Sequence, residues 1–244
     1  MTMIIPDWPA PVGVHALSTT RLGGHSVAPY ASFNLGMHVG DSESTVARNR
    51  AELCLSLPSA PLWLNQIHSN RAVDLQQVNA VVDADASYTN RSSVVSVVMT
   101  ADCLPVLFCS LDGTEVAAAH AGWRGLLDGV LENTVGLFNA PPSRIMAWLG
   151  PAIGPSAFEV GSEVRDAFIV KHAGCENAFR PRHGHEGKWL ADINQLARYR
   201  LQRLGIDAVY GGDRCTYSEA DHFFSYRRDG QTGRQASLIW FDTP

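Results

Sequence analysis

Thr100-Ala-Asp-Cys-Leu-Pro-Val-Leu-Phe-Cys-Ser-Leu-Asp-Gly-Thr-Glu-Val-Ala-Ala-Ala-His-Ala-Gly-Trp-Arg-Gly125 is the stretch that organises the middle of this chain. Two apolar runs flank Asp112-Gly113, a dipeptide that favours a type I′ hairpin turn because both central residues need positive φ. With those residues in the turn, Leu111 pairs with Thr114 and paired positions sum to 225. Cys103 then lies opposite Gly122, with His120 its diagonal neighbour on the same face. Diagonal neighbours are about 7–8 Å apart at Cα, with side chains closer. One ion could therefore join the Cys103 sulfur and a His120 nitrogen at about 2.3 and 2.0–2.1 Å. Pro105 cannot donate to a ladder, which predicts a bulge or an edge position there. A slip of one residue would put Cys103 and His120 on opposite faces. On pattern alone, a buried thiol and a hydrogen-bonded core imidazole fit these positions equally well, since free cysteine is among the most buried residue types.

Strand-like runs recur on both sides of this hairpin, over 12–19, 94–100, 145–149, 223–227 and 236–241; they are short, β-branched or aromatic, and bounded by turn residues. Helical spacing appears over 44–55, 126–138, 160–170 and 190–204. Hairpins mixed with helical excursions point to an α+β protein with mixed sheets rather than a regular doubly wound one. No segment is long enough for an interdomain linker, and length alone fits one large domain or two intimate halves.

Composition narrows the class. The chain has 244 residues, 45% hydrophobic and 18% charged, with a net charge of −5. A chain of this length buries a sizeable core without disulfides or structural metals, so a metal site would be functional. The acidic balance argues against nucleic acid as a partner. No window approaches the roughly 20 apolar residues of a membrane span, and the N-terminus has no signal-peptide pattern. Five scattered cysteines do not suggest a disulfide framework. The reading is a reduced, cytoplasmic protein.

After His120, Ala-Gly-Trp-Arg-Gly leads into a helix, where free N–H groups and Arg124 could hold an anion; a tight turn with a solvent-facing arginine fits as well. Arg21 in Thr19-Thr-Arg-Leu-Gly-Gly24, with Asn34 nearby, and the pair Arg227 and Arg228 are further oxyanion candidates. An arginine at a strand end is ordinarily a surface residue. His183 and His185 form a His-x-His in a polar, glycine-rich loop that reads as exposed.

Thr19-Thr-Arg-Leu-Gly-Gly24, Phe33-Asn-Leu-Gly36, Gly40-Asp41, Asn49-Arg50, Gln66-Ile-His68, Thr100-Ala-Asp-Cys103, His120-Ala-Gly-Trp-Arg-Gly125, Glu159-Val-Gly161 and Phe224-Ser-Tyr-Arg-Arg228 occur in this order. Together they resemble the YfiH-like, laccase-domain family, also called the polyphenol oxidase or purine nucleoside phosphorylase family, from about residue 12 to 241. The resemblance implies one domain over 1–244 and a layered α/β/β/α sandwich related to cysteine-dependent toxin deamidases. It implies zinc bound by His68, Cys103 and His120, where spacing alone would not select His68 from nine histidines. Three protein ligands leave the fourth position open, the catalytic arrangement. It further implies phosphorolysis of adenosine, inosine and methylthioadenosine, with deamination of adenosine. Ser69 departs from the family's pattern, in which glycine often follows the histidine.

Three other functions fit the same residues. Cys103 and His120 could act as nucleophile and base of a hydrolase, such as a cell-wall precursor amidase. Copper could support phenol oxidation, although the multiple His-x-His pairs of a multicopper oxidase are missing. A non-catalytic binding module is the third. Purine nucleoside and phosphate are the expected partners of a monomer or weak homodimer.

Overall fold

The computed structural model describes residues 1–242. In chain order the first elements are β1 (Met3–Ile4), β2 (Val14–Thr19), α1 (Glu43–Cys54), β3 (Ala72–Asp74), β4 (Ala86–Thr89) and β5 (Ser96–Thr100). The central hairpin is β6 (Leu104–Ser110) and β7 (Val116–Ala121), followed by α2 (Trp123–Asp128), α3 (Val130–Val135) and β8 (Ile145–Leu149). Then come β9 (Glu159–Gly161), α4 (Ser162–Lys171), β10 (Phe179–Pro181), β11 (Lys188–Ala191) and α5 (Ile193–Leu204). The chain closes with β12 (Ala208–Gly211), α6 (Tyr226–Asp229) and β13 (Gln235–Phe241).

A six-stranded mixed sheet runs β12-β8-β6-β7-β4-β3, a four-stranded antiparallel sheet runs β1-β2-β13-β5, and β10-β11-β9 form a small third sheet. Alternation along β6 and β7 sets the layers. Leu104, Val106, Phe108, Ala117, Ala119 and Ala121 pack against Leu126, Leu131, Leu196 and Leu201 of the helices. Leu107, Cys109, Val116 and Ala118 point the other way, onto Ala16, Val98 and Ile239 of the four-stranded sheet. The outer face of that sheet, with Leu17, Val97 and Leu238, is covered by Leu53 of α1 and by Phe33 and Leu35. The order is helices, sheet, sheet, helix. Every residue of β6 and β7 is buried because both faces are covered.

The hairpin register is the one the sequence predicts: Leu104 pairs with Ala121 and Pro105 with His120, sums of 225. Its turn is different. Ser110 N–H reaches Glu115 O at 3.0 Å, so the connection spans four residues, and of Asp112 and Gly113 only Gly113 has positive φ, at 73°. Widening a hairpin loop by one residue on each side preserves the sum. Pro105 neither bulges nor lies at an edge. It is the second residue of a central strand, and its carbonyl accepts from Gly150 N–H at 2.9 Å beyond the last β8 pair, so no bond to β7 is missing.

Several predicted elements differ. The helix over 126–138 is two short helices broken at Gly129 (φ 102°), which sits in the left-handed region. The helices over 160–170 and 190–204 give up their first turns to β9 and β11. Residues 223–227 are no strand, because Gln235 takes both backbone groups of Phe224 with its side-chain amide and Ser225 caps α6 by accepting Arg228 N–H. The apolar run Leu62-Trp63-Leu64, whose pattern reads as the end of a strand leading to His68, is irregular chain with a single bridge at Asn65. Among the described residues, no helix is long and apolar enough to cross a membrane.

Candidate metal centre

His120 is the penultimate residue of β7, and Cys103 immediately precedes β6. His68 comes from the loop after Leu64, held by Gln66, whose side-chain amide donates to Met99 O and accepts from Met99 N–H, both at 2.7 Å. That amide imitates a strand partner and fastens the loop to β5. The donor atoms of His68, Cys103 and His120 lie within 4.8 Å of one another. Cys103 Sγ is 3.8 Å from His68 Nε2, against about 3.6 Å for a sulfur and a nitrogen sharing a tetrahedral zinc. The imidazoles meet edge to face, with centroids 4.8 Å apart.

Asp85 builds this arrangement. It is wholly buried, and five donors converge on it. Oδ1 accepts from His120 Nδ1 at 2.8 Å and His68 N–H at 3.0 Å. Oδ2 accepts from Ser69 N–H at 2.6 Å, Ser69 Oγ at 2.7 Å and Ile67 N–H at 3.3 Å. A buried carboxylate is tolerable only with such satisfaction. The consequences are specific. His68 is held at a φ of 61°, a conformation that non-glycine residues rarely adopt. His120 is fixed with its Nδ1 proton on Asp85, which leaves Nε2 to face an ion, as in carboxylate–histidine–metal triads. Ser69 thus reaches the centre indirectly, through its hydroxyl on Asp85.

Gly122 supplies the space. A Cβ there would stand 3.0 Å from His68 Cδ2 and 3.1 Å from Cys103 Sγ. Asp102 anchors the other side of Cys103: it sits at φ 97°, accepts from Thr216 Oγ1 and Arg227 N–H at 2.7 Å each, and its carbonyl takes Ile153 N–H at 2.9 Å.

The electrostatics favour a ligating thiolate. Burial raises the Cys103 thiol, but His120 and His68 outweigh it and bring the thiol well below its ordinary value. Burial lowers His120, but Cys103 and Asp85 outweigh it and raise the imidazole. For Asp85, burial pushes upward while His120 and Ser69 pull the carboxyl below its usual range. Two imidazoles and a thiolate are a donor set suited to zinc, and donor atoms within 4.8 Å of one another have the spacing a shared ion needs.

Two cavities flank the centre and share His68, Ala101, Cys103 and Tyr226. The first, about 240 Å³, is walled by Trp123, Ile153, Phe158 and Ile193, with Arg124 and Arg227 on it. The second, about 360 Å³, is lined by His38, Gln66, Thr100, His120 and Arg234. Burial and the charge of Arg234 keep His38 below the usual histidine value.

The structure brings Arg124 and Arg227 to the first cavity; Arg124 lies over Trp123 at 4.5 Å, and Arg227 donates to Glu159 O at 2.8 Å. Arg21, Asn34 and Arg228 line neither cavity. Arg21 donates to Ala31 O and Ala220 O. Arg228 donates to Thr216, Tyr217 and Phe223 carbonyls. Asn34 is buried and bonded to Gly36, Asp41 and Arg234. His183 and His185 line a separate cavity with Ser162 and Trp189.

Asp85, His38, Tyr226 and Arg234 went unseen in the sequence. A signal existed for Asp85 alone: a carboxylate between Ala84 and Ala86, in a run of small residues, is out of place unless it is paired.

Fold and site define a class, that of layered α+β proteins with a His-Cys-His centre open to a cavity on either side. Residues 15–242 match the family described as multi-copper polyphenol oxidoreductase laccase, and the chain belongs to this laccase-domain, YfiH-like family. It is 56% identical over 241 residues to Escherichia coli purine nucleoside phosphorylase YfiH, covering 98% of each chain. It is 54% identical over 244 residues to a Haemophilus influenzae purine nucleoside phosphorylase, covering 99% of this chain and 100% of that one. The crystal structure of a Neisseria meningitidis protein superposes with a TM-score of 0.95 at 51% identity, covering all of both chains. Among the described residues, one His, Cys or carboxylate cluster has metal-binding geometry.

Proposed function

We propose that this chain is a zinc-dependent purine nucleoside phosphorylase acting on adenosine, inosine and methylthioadenosine, with adenosine deaminase activity at the same centre. Its place of work is the cytoplasm, as a monomer or weak homodimer. The observation that carries the reading is the convergence of His68, Cys103 and His120 beside a cavity walled by aromatic rings. The names of the Escherichia coli and Haemophilus influenzae relatives support the class of reaction.

Zinc held by the three donors would supply Lewis acidity at neutral pH. Trp123, Phe158 and Tyr226 line the first cavity with aromatic surface suited to a planar purine, and Arg124 and Arg227, which lie over the Trp123 and Phe158 rings, bring positive charge to it. In phosphorolysis a phosphate oxygen bonds to ribose C1′ as the C1′–N9 bond breaks; N9 keeps the electron pair and the base leaves after taking up a proton. In deamination water adds at C6 of adenosine and ammonia departs. Asp85 keeps the His120 proton on Nδ1 throughout.

Copper in the same donors is the alternative ion. A His₂Cys copper centre takes a weak axial sulfur; Met99 lines the second cavity, but its sulfur accepts from Arg50 Nη2 at 3.7 Å, which favours zinc.

One observation favours a second reading, in which Cys103 is a nucleophile. Against its own burial, the two imidazoles stabilise a thiolate. The proposed kinship with cysteine-dependent toxin deamidases points the same way. The sulfur would attack an amide carbonyl, the amine would leave with a proton from His120, and water would cleave the thioester.

Elemental analysis of the purified protein, paired with inosine and adenosine assays with and without phosphate, separates the readings. The expected result is one zinc per chain and base release that requires phosphate. A zinc-loaded sample inactive towards both nucleosides would overturn the proposal. A Cys103→Ser variant that loses metal yet keeps full activity would remove the metal from it.

A further inference from the structure

Phe33-Asn-Leu-Gly36 has no role in the centre as described, yet the motif has one evident structural task. Asn34 Oδ1 accepts from Arg234 N–H at 2.9 Å and from Gly36 N–H at 2.9 Å, while its Nδ2 donates to Asp41 Oδ2 at 2.9 Å. A Cβ on Gly36 would come within 2.8 Å of Arg234 Cγ. The motif is the seat of Arg234.

That arginine is rigidly placed and incompletely used. Its Nη1 donates to the carbonyls of Thr232 at 3.1 Å and Gly233 at 2.9 Å. Among the described residues no carboxylate is within ion-pair distance of it, and Nε and Nη2 have no partner. Its cavity is lined by no aspartate or glutamate. On the same wall, the Thr100 hydroxyl is buried without a hydrogen-bond partner, in a residue 2% exposed. An unpaired buried hydroxyl is costly unless a ligand satisfies it. The first cavity is less open to an anion: Asp102 lines it, whereas its charge reaches Arg234 only from outside the second cavity, Arg227 is turned to Glu159 O, and Arg124 is exposed.

We infer that the second cavity is the inorganic phosphate subsite, with Arg234 and Thr100 as its binding residues and Asn34 and Gly36 as positioning residues. This rests on the phosphorolytic reading and assigns the two substrates to opposite sides of the centre. The guanidinium fork matches phosphate oxygens, and rotation about χ1 would bring the buried Thr100 hydroxyl to a third. Phosphate would then approach the nucleoside from across His68 and Cys103, in line with a base departing towards Trp123 and Phe158.

The test is steady-state kinetics on zinc-loaded Arg234→Met, Thr100→Val and Arg124→Met, each checked for metal content and thermal unfolding. Losing a charge-assisted contact predicts a phosphate KM raised about 10- to 100-fold in Arg234→Met, and about 3- to 10-fold in Thr100→Val. The inosine KM should stay within about 2-fold in both, whereas Arg124→Met should move the inosine KM instead. An unchanged phosphate KM in folded Arg234→Met and Thr100→Val, or a rise confined to Arg124→Met, would overturn the assignment. Should Arg234→Met not fold, Arg234→Lys and Thr100→Val carry the test. If the wild type shows no phosphate-dependent turnover, the enzymatic reading fails separately. Phosphate calorimetry then decides: binding weakened in the Arg234 and Thr100 variants sustains the subsite, and no binding to wild type ends it.

Discussion

Replacing Asp85 by asparagine keeps the shape of the side chain and exchanges one acceptor for two donors, at a position where five donors converge. The amide has two choices. With its nitrogen towards Ser69, it faces the N–H groups of Ser69 and Ile67, which cannot accept. With its nitrogen towards His120, it faces His68 N–H and forces the His120 proton from Nδ1 to Nε2, onto the atom that should hold the ion. Either way one or two part-buried donors lose their acceptor against a buried amide, at about 1–3 kcal/mol each, so the metal-free protein should lose up to about 3 kcal/mol. For a chain of this size that lowers Tm by about 6–12 °C. Loss of an orienting carboxylate should also weaken zinc binding by about 10- to 100-fold. Thermal unfolding of the metal-free protein and competition against a chromophoric chelator measure the two effects. A Tm within about 1 °C of wild type together with zinc affinity within about 2-fold would refute the role given to Asp85.

Gly122→Ala should lower zinc occupancy by about 10-fold or more while costing about 1–3 kcal/mol in stability, because the methyl enters the space between His68 and Cys103; elemental analysis after dialysis checks it. Zinc binding at pH 7 should release about one proton, read from calorimetry in buffers of different ionisation enthalpy. The sign follows from the raised His120 imidazole and lowered Cys103 thiol, which keep one proton on the metal-free pair at neutral pH. Zinc expels it, so affinity falls as pH falls, and release tends to zero as pH rises through the His120 value. In the metal-free protein, alkylation of Cys103 by iodoacetamide should titrate below the ordinary thiol value of about 8.5, and Asp85→Asn should move that inflection upward.

The register of the central hairpin was legible because period-two alternation and a turn signal fix paired positions even when the loop is longer than expected. The breaks at Gly129 and at 223–227 were not, since each depends on a distant partner or on one glycine's φ. Cys103 and His120 were within reach of sequence reasoning as neighbours on one hairpin. His68 was not. Its position depends on Gln66 imitating a strand partner and on Asp85, contacts 33 and 17 residues apart in sequence. Arg234 shows the same difficulty from the other end: its pattern is that of a residue opening a strand, and only the fold brings Asn34 and Gly36 beneath it.

The central claim is that one zinc ion is held by the Cys103 sulfur and by nitrogens of His68 and His120. Zinc-edge X-ray absorption on the purified protein tests it directly. One sulfur at about 2.3 Å, with the remaining first-shell scatterers light atoms at about 2.0–2.1 Å, is the predicted result. A first shell without sulfur, or with more than one, would contradict it.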